Sequence, residues 1–389
     1  MRGRGLHSVP DSNRTGNPTW TICFAGTFPW ERGLRRDFHR LFGALADRGH
    51  RPVYIEPAIP LGRSAPPSPR KASDHAGVTL VTPRTVRGQS MKPVAAVNAT
   101  LTRRTLRRVW DELGLPQPEI VMIQPPYRQF VWEVFPAGLR VWRNYDYQDL
   151  EEAVALAAGA DLILTTSPRY VRMGTFPRGK TRLLPNTCDE ISDLAGPRHP
   201  LGVGEEPVVG TMGTFAHVDL GLLRSVIEGS PGTRFLFQGI IGPDAAAQLR
   251  HERVTLVPRS DSEPAAVRFF LRSVRVGLCP YEQSEWQLHS SPDRLLAFLR
   301  AGLPVVTTDF SEDALAPFRD LPGVFVAHDA QAFRTMIPVA VDAGQDPAVV
   351  QGLVDAAEPY LATNLAPRFE ELVAEALSIR AETDGGRSA

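Results

Sequence analysis

Short continuous apolar runs alternate along the chain with stretches in which apolar residues fall three or four positions apart. The first pattern suits a strand buried on both faces, the second an amphipathic helix. Their alternation predicts βα units building parallel sheets, an α/β fold. WTICFA (20–25) predicts the first strand and GTFPWERG (26–33) the loop after it. A helix follows through Leu45, with Leu34, Phe38, Leu41, Phe42 and Leu45 on one face and Gly49 past its end. PVYIEP (52–57), VTLVTP, IVMIQ, LRVW, DLILTTS and TRLLP predict further strands, with helices near 94–113 and 148–158. Residues 57–76, rich in Pro, Ser and Gly, predict a surface loop.

Periodicity disappears over 187–206, as expected of a linker between domains. A second series then begins with PVVGTMG (207–213), a strand running into a glycine turn, and a helix from Asp219 to Gly229. RFLFQG, RVTLVP, VRVGLCP, PVVTT and VFVAH predict its other strands, and 346–380 terminal helices. The expected organisation is a disordered lead-in (1–18), a first Rossmann-like domain (19–195) and a second (205–360). The terminal helix (361–389) is expected to pack back on the first domain and end in a disordered tail.

A length of 389 residues is too long for one ordinary core and fits two domains. No apolar run reaches the roughly 18 residues that cross a membrane. The polar first 18 residues lack the apolar stretch of a signal peptide. Cys23, Cys188 and Cys279 are odd in number and widely spaced, which argues against a disulfide framework and gives no metal-ligand spacing. The expected location is the cytoplasm. Net charge is zero, but residues 1–195 carry 27 basic and 18 acidic side chains, leaving 16 basic against 25 acidic for the rest. The basic first half suits an anionic partner.

Ligands of open α/β sheets bind at the carboxyl ends of the strands, where helix N-termini suit phosphate. Three loops meet this description. In GTMGTF (210–215), Gly213 lets the backbone approach a phosphate closely, with Thr214 beside it. In HSSPDRLLAFLRAGLPVVTT (289–308), Ser290 or Ser291 is placed to cap a helix with Pro292 in its first turn. Arg294 stands where its guanidinium reaches a diphosphate at that helix end. In GTFPWERG, Gly26 and Gly33 frame Phe28, Trp30 and Arg32; the aromatics either stack on a sugar or staple the loop.

At these residues the chain resembles a known family. The second half is similar to the donor domain of retaining GT-B glycosyltransferases, the large family that includes sucrose synthases and bacterial mannosyltransferases, nearest its capsule and teichuronic-acid branch. The segments that carry this are VVGTMGTFAHVDLGLLRSVIEGSPGTRFLFQG and PYEQSEWQLHSSPDRLLAFLRAGLPVV (280–306). In the first half, NYDYQDLEEAVALAAGADLILTTSPRY and LLPNTCD (183–189) resemble the same branch. The resemblance spans about 20–310 and implies a GT-B fold of two Rossmann-like domains. It also implies transfer of a sugar, with retention, from a UDP- or GDP-sugar, with no metal or cofactor. Helix N-termini and basic side chains stabilise the leaving diphosphate in such an enzyme.

The resemblance assigns the nucleotide-sugar donor to Gly213, Thr214, Ser290, Ser291, Pro292 and Arg294, with the diphosphate held by Arg294 and the 213–214 turn, and the base to the region of Arg259. It makes His289 and Asp146, with Arg294, the catalytic candidates. Gly26, Phe28, Trp30, Arg32, Tyr127 and Arg128 are the acceptor candidates. The chain departs from the family's Glu-x7-Glu: the two positions hold His289 and Ala297, with Glu282 and Glu285 as nearby substitutes. The basic stripe Arg103, Arg104, Arg107 and Arg108 reads as a solvated face rather than a membrane contact.

The expected acceptor is a small soluble metabolite or natural-product intermediate, and no nucleic-acid partner is expected. Two rivals follow from the missing carboxylates: a GT-B sugar-nucleotide epimerase, and a non-catalytic sugar-nucleotide-binding subunit. A dehydrogenase is disfavoured because no GxGxxG follows a strand.

Overall fold

The computed structural model describes residues 19–31, 37–86, 92–124, 130–145, 147, 150–194, 206–258 and 264–386. In its first half the strands are β1 (Thr21–Ala25), β2 (Arg51–Ile55), β3 (Ile59–Pro60), β4 (Arg70–Lys71) and β5 (Thr79–Val81). They continue with β6 (Arg84–Thr85), β7 (Ile120–Ile123), β8 (Leu139–Asn144), β9 (Leu162–Thr165) and β10 (Thr181–Leu183). Eight of these form one sheet in the order β10-β9-β8-β7-β1-β2-β5-β4, and β3 pairs with β6. All pairings in the sheet are parallel except β4 with β5.

In the second half come β11 (Val208–Thr214), β12 (Arg234–Ile240), β13 (Val254–Pro258), β14 (Val276–Cys279), β15 (Val305–Thr308) and β16 (Val324–Ala327). They form a parallel sheet in the order β13-β12-β11-β14-β15-β16. The helices of the first half are α1 (Asp37–Asp47), α2 (Lys92–Leu113), α3 (Phe130–Val134), α4 (Leu150–Gly159) and α5 (Pro168–Met173). Those of the second are α6 (Leu220–Glu228), α7 (Pro243–Gln248), α8 (Pro264–Ser273), α9 (Glu285–Leu288) and α10 (Asp293–Arg300). They end with α11 (Glu312–Leu315), α12 (Ala330–Ala343), α13 (Pro347–Ala357) and α14 (Ala362–Gly386).

Each sheet is packed on both faces, which is why its strands read as unbroken apolar runs. All five residues of β1 are buried, and its alternate side chains enter different cores: Ile22 and Phe24 on one face, Cys23 and Ala25 on the other. Burial pushes the Cys188 and Cys279 thiols up to about 12 and the Cys23 thiol higher still, so none is a nucleophile at neutral pH.

Asp219 caps α6 by accepting from Leu222 N at 2.8 Å, the role its sequence position suggests. The segment expected to be a free linker is not one at its start. Cys188, Ile191 and Leu194 are buried in the second half's core, although the sequence places them in the first domain. Residues 195–205 lie outside the described residues. The chain crosses between halves twice, and the crossings lie side by side, with Cys188 N donating to Tyr360 O at 2.8 Å. After the second crossing, α14 lays Leu365, Phe369, Leu372 and Val373 into the first half's core with Phe38 and Phe42 of α1. Glu370 fastens it there, accepting from Arg48 at 2.5 and 2.7 Å and lying 2.8 Å from His50 Nε2.

Segments that follow β9 and β10 of the first sheet touch segments that follow β14 and β15 of the second. Asn186 meets Asp293, Tyr170 meets His289, and Arg172 meets Asp313. The carboxyl ends of both sheets therefore border one cleft. Among the described residues no helix is long and apolar enough to cross a membrane.

Candidate active site

The second half's side of the cleft is built on two glycines. At the end of β11, Gly213 has φ 106°, and beside it on β12 Gly239 has φ 142°. A β-carbon on Gly239 would lie 1.9 Å from the Gly213 carbonyl oxygen. Only glycine permits both the conformation and the approach. Gly239→Ala is therefore expected to cost at least about 1–3 kcal/mol in backbone strain and to distort the turn. Gly232→Ala, where nothing lies within 4 Å, serves as the neutral control. Urea unfolding of both variants checks this; equal stability would mean that the turn tolerates a side chain.

Arg294 bridges this turn to α10. Its Nη2 donates to Thr214 O at 2.9 Å, and its guanidinium carbon lies 4.9 Å from the Tyr281 ring centre. The residue is 9% exposed, and Nη1 is buried with no hydrogen-bond partner among the described residues. Nor does Arg294 form an ion pair there. A cation taken out of water with neither counter-ion nor full hydrogen bonding is costly, and an anion at the helix end removes that cost.

The helix start differs from expectation. Pro292 takes the N-cap position, and no side chain caps the helix. The Ser290 hydroxyl donates instead to Gln287 O and Oε1, at 3.0 and 2.8 Å. The first-turn N–H groups are thus left without a side-chain cap, which suits an external anion. Asp293, also in that first turn, accepts from Asn186 Nδ2 at 2.6 Å. Asp293 is exposed, yet the protein packed around it displaces enough water to push its carboxyl up, beyond what Asn186 and Arg40 pull down.

His289 ends α9 and is 7% exposed. Its Nδ1 lies 2.9 Å from Glu285 O. A carbonyl only accepts, so Nδ1 carries a proton, the tautomer in which Nε2 is the ring's acceptor. The imidazole packs against two rings of the first half, Tyr170 at 4.4 Å and Tyr147 at 5.5 Å between centroids. Below it Arg172 holds the Asp313 carboxyl under its ordinary range, with bonds of 2.5 and 2.8 Å.

In the first half, the loop after β1 is stapled. Trp30 is 4% exposed, its Nε1 donates to Asp74 at 2.7 Å and its backbone N to Glu56 at 2.9 Å. Stapling, not sugar stacking, is what its burial provides. Phe28 is half-buried, and its carbonyl accepts from Tyr54 at 2.7 Å. A side chain on Gly26 would meet the Tyr54 hydroxyl at 2.0 Å. Arg32, Tyr127, Arg128, Asp146 and Arg259 lie outside the described residues.

The sequence reading missed the network under the crossover. Asp37 accepts from Thr187 N at 2.6 Å, Arg143 Nη2 at 3.0 Å and Tyr145 at 3.0 Å, and Arg40 binds Thr187 and Asp189. Of the proposed carboxylate substitutes, Glu282 lies 3.6 Å from His217 and Glu285 lies 3.8 Å from His289. Ala297 on α10 is half-buried.

No family model and no curated protein matches the chain. Solved structures do. A glycosyltransferase from Rickettsia africae is similar at 10% identity, with 92% of this chain and 99% of that one covered and a TM-score of 0.65. An α,α-trehalose 6-phosphate synthase from Burkholderia multivorans is similar at 12% identity, covering 94% and 100%, with a TM-score of 0.63. Anabaena HepE in complex with UDP and glucose is similar at 11% identity, covering 91% and 100%, with a TM-score of 0.66. Identities this low speak for architecture alone. With two mainly parallel sheets bordering one cleft and near-complete overlap with these chains, the protein has the GT-B fold.

Proposed function

We propose that the protein is a glycosyltransferase that moves a sugar from a nucleoside diphosphate to an acceptor. The second half holds the donor and the first half the acceptor. The observation that carries the reading is Arg294: a buried guanidinium with Nη1 unpartnered among the described residues, set between the Gly213 turn and the uncapped start of α10. Charge develops on the diphosphate as the glycosidic bond to it breaks. A cation and N–H groups fixed there beforehand stabilise that charge without reorganising. His289, packed against Tyr170 and Tyr147 of the first half, serves in this reading to accept from a sugar hydroxyl through Nε2. The UDP and glucose bound in HepE support a nucleotide-sugar donor.

Retention of configuration and a small soluble acceptor in the cytoplasm complete the proposal. They rest on the motif resemblance and on the chain's composition. Retention is read from the anomeric proton coupling of fresh product by NMR.

The first test is thermal unfolding with UDP, GDP, dTDP, ADP and CDP. A ligand that binds only the native state at about 100 times its dissociation constant adds about 2.7 kcal/mol. One of the five is expected to raise the melting temperature by several degrees. If none does, the donor site proposed here is wrong. Turnover of a stabilising nucleotide's sugar in the absence of acceptor, giving an epimer, would favour the isomerase instead.

A further inference from the structure

The short helix α9 ends at His289, and one turn earlier it carries Trp286. Trp286 keeps 38% of its surface exposed. One face of its indole is covered by the His217 imidazole, at 5.3 Å between centroids and 10° between planes. His217 is itself held. Its carbonyl accepts from Glu282 N at 3.2 Å, its Nδ1 lies 3.6 Å from the Glu282 carboxylate, and the next residue, Val218, bridges to Tyr281. A tryptophan that serves the core buries its ring. Here the ring is stacked on a held imidazole and keeps more than a third of its surface exposed.

The surroundings point to a ligand class. Glu282 follows Tyr281, the ring under Arg294, so the stack starts beside the proposed diphosphate pocket. It ends one turn from His289, against the first half. Glu282 lies 3.6 Å from His217 of the stack, and Glu285, the residue before Trp286 on α9, lies 3.8 Å from His289; their side chains are 44% and 67% exposed. A flat apolar face edged by carboxylates matches a pyranose, whose ring C–H groups are apolar and whose rim is hydroxyl donors.

We propose that the His217–Trp286 pair is a stacking platform for a pyranose ring, with Glu282 and Glu285 accepting from its hydroxyls. The platform extends the proposed function by placing a sugar beside the diphosphate, and it rests on that reading for which sugar it holds. The ring belongs either to the acceptor or to the donor's transferred sugar.

The test uses the full chain labelled with 5-fluorotryptophan, with the Trp286 resonance assigned by its loss in Trp286→Phe. It is titrated with methyl glycosides of glucose, mannose, galactose and N-acetylglucosamine, with UDP-glucose and GDP-mannose, and with UDP and GDP alone. A saturable shift with a methyl glycoside identifies an acceptor ring. A shift with a nucleotide sugar but not with its nucleotide identifies the transferred ring. Trp286→Ala is then expected to weaken that binding about tenfold, and Trp286→Phe far less. Nucleotide thermal shifts are expected unchanged in both variants, which shows that they fold. The proposal is overturned if no sugar moves Trp286 while a nucleotide still stabilises the protein, or if a bare nucleotide moves it equally. Glycoside shifts with no nucleotide stabilisation would keep the platform and remove the donor reading.

Discussion

Arg294→Ala is expected to lower turnover by about 10²–10³-fold, the usual cost of losing one preorganised group aimed at developing charge. The expectation has a second half that makes it specific. Arg294 is 9% exposed and forms no ion pair among the described residues, so its burial is itself unfavourable. Removing it gives up one hydrogen bond to Thr214 O and the contact with Tyr281, but also ends that desolvation cost. The net change in stability is expected within about 1 kcal/mol. An arginine kept for structure behaves in the opposite way: its loss destabilises and spares catalysis. Urea unfolding and steady-state kinetics on the same preparation separate the two. Near-normal turnover with a lowered unfolding midpoint would remove Arg294 from the site. Arg294→Lys keeps the charge but not the fork that spans turn and helix, and falls between.

Much of this architecture is legible in the sequence because parallel strands covered on both faces leave unbroken apolar runs. PVVGTMG and RFLFQG stand out as strands before any partner is known. The α10 stripe of Leu295, Leu296, Phe298 and Leu299 is equally plain, and it locates Arg294 at the helix start. What escaped notice depends on distant partners. Arg70–Lys71 is too short to show a period and becomes a strand only by pairing with Leu80 and Thr79. Residues 188–194 read as linker because their apolar side chains are sparse. Yet Cys188, Ile191 and Leu194 are buried, since the second half's core supplies the contacts. Gly239 looked like an ordinary strand end; its need for glycine comes from Gly213 on the neighbouring strand. Trp30 is a matter of rotamer: the same loop residue stacks on ligand or staples its own backbone, and Asp74, 44 residues away, decides. Asp37 and Arg143 carry no mark in the sequence, because their partnership spans 106 residues.

That partnership carries the largest expected stability effect. Asp37→Ala is expected to cost about 3–5 kcal/mol, the penalty for leaving a buried charge without its partner. The Arg143 side chain is 0% exposed and Asp37's is 3%, so water cannot replace the lost carboxylate. Tyr145 and the Thr187 N–H lose their acceptor in the same step. Since Thr187 opens the segment that leads into the second half, loosening there is expected to lower the unfolding midpoint of both halves together. The double variant Asp37→Leu/Arg143→Met removes both charges, and is expected to recover much of the loss. A cost under about 1 kcal/mol for Asp37→Ala, or a double variant worse than the sum of the singles, would contradict this account. The pH dependence has a definite sign. Burial pushes the Asp37 carboxyl up, but Arg143, the Thr187 N–H and Arg40 together pull it down further, so its folded value lies below the ordinary one. Its contribution is therefore whole above the unfolded value of about 3.9 and fades as the pH falls from there through the folded value. In urea titrations the gap between the parent protein and Asp37→Ala is thus expected to stay constant from neutral pH down to about 5 and to narrow below about 4. A gap that widened in acid would mean that the carboxyl is protonated in the fold and that Arg143 is held by something else.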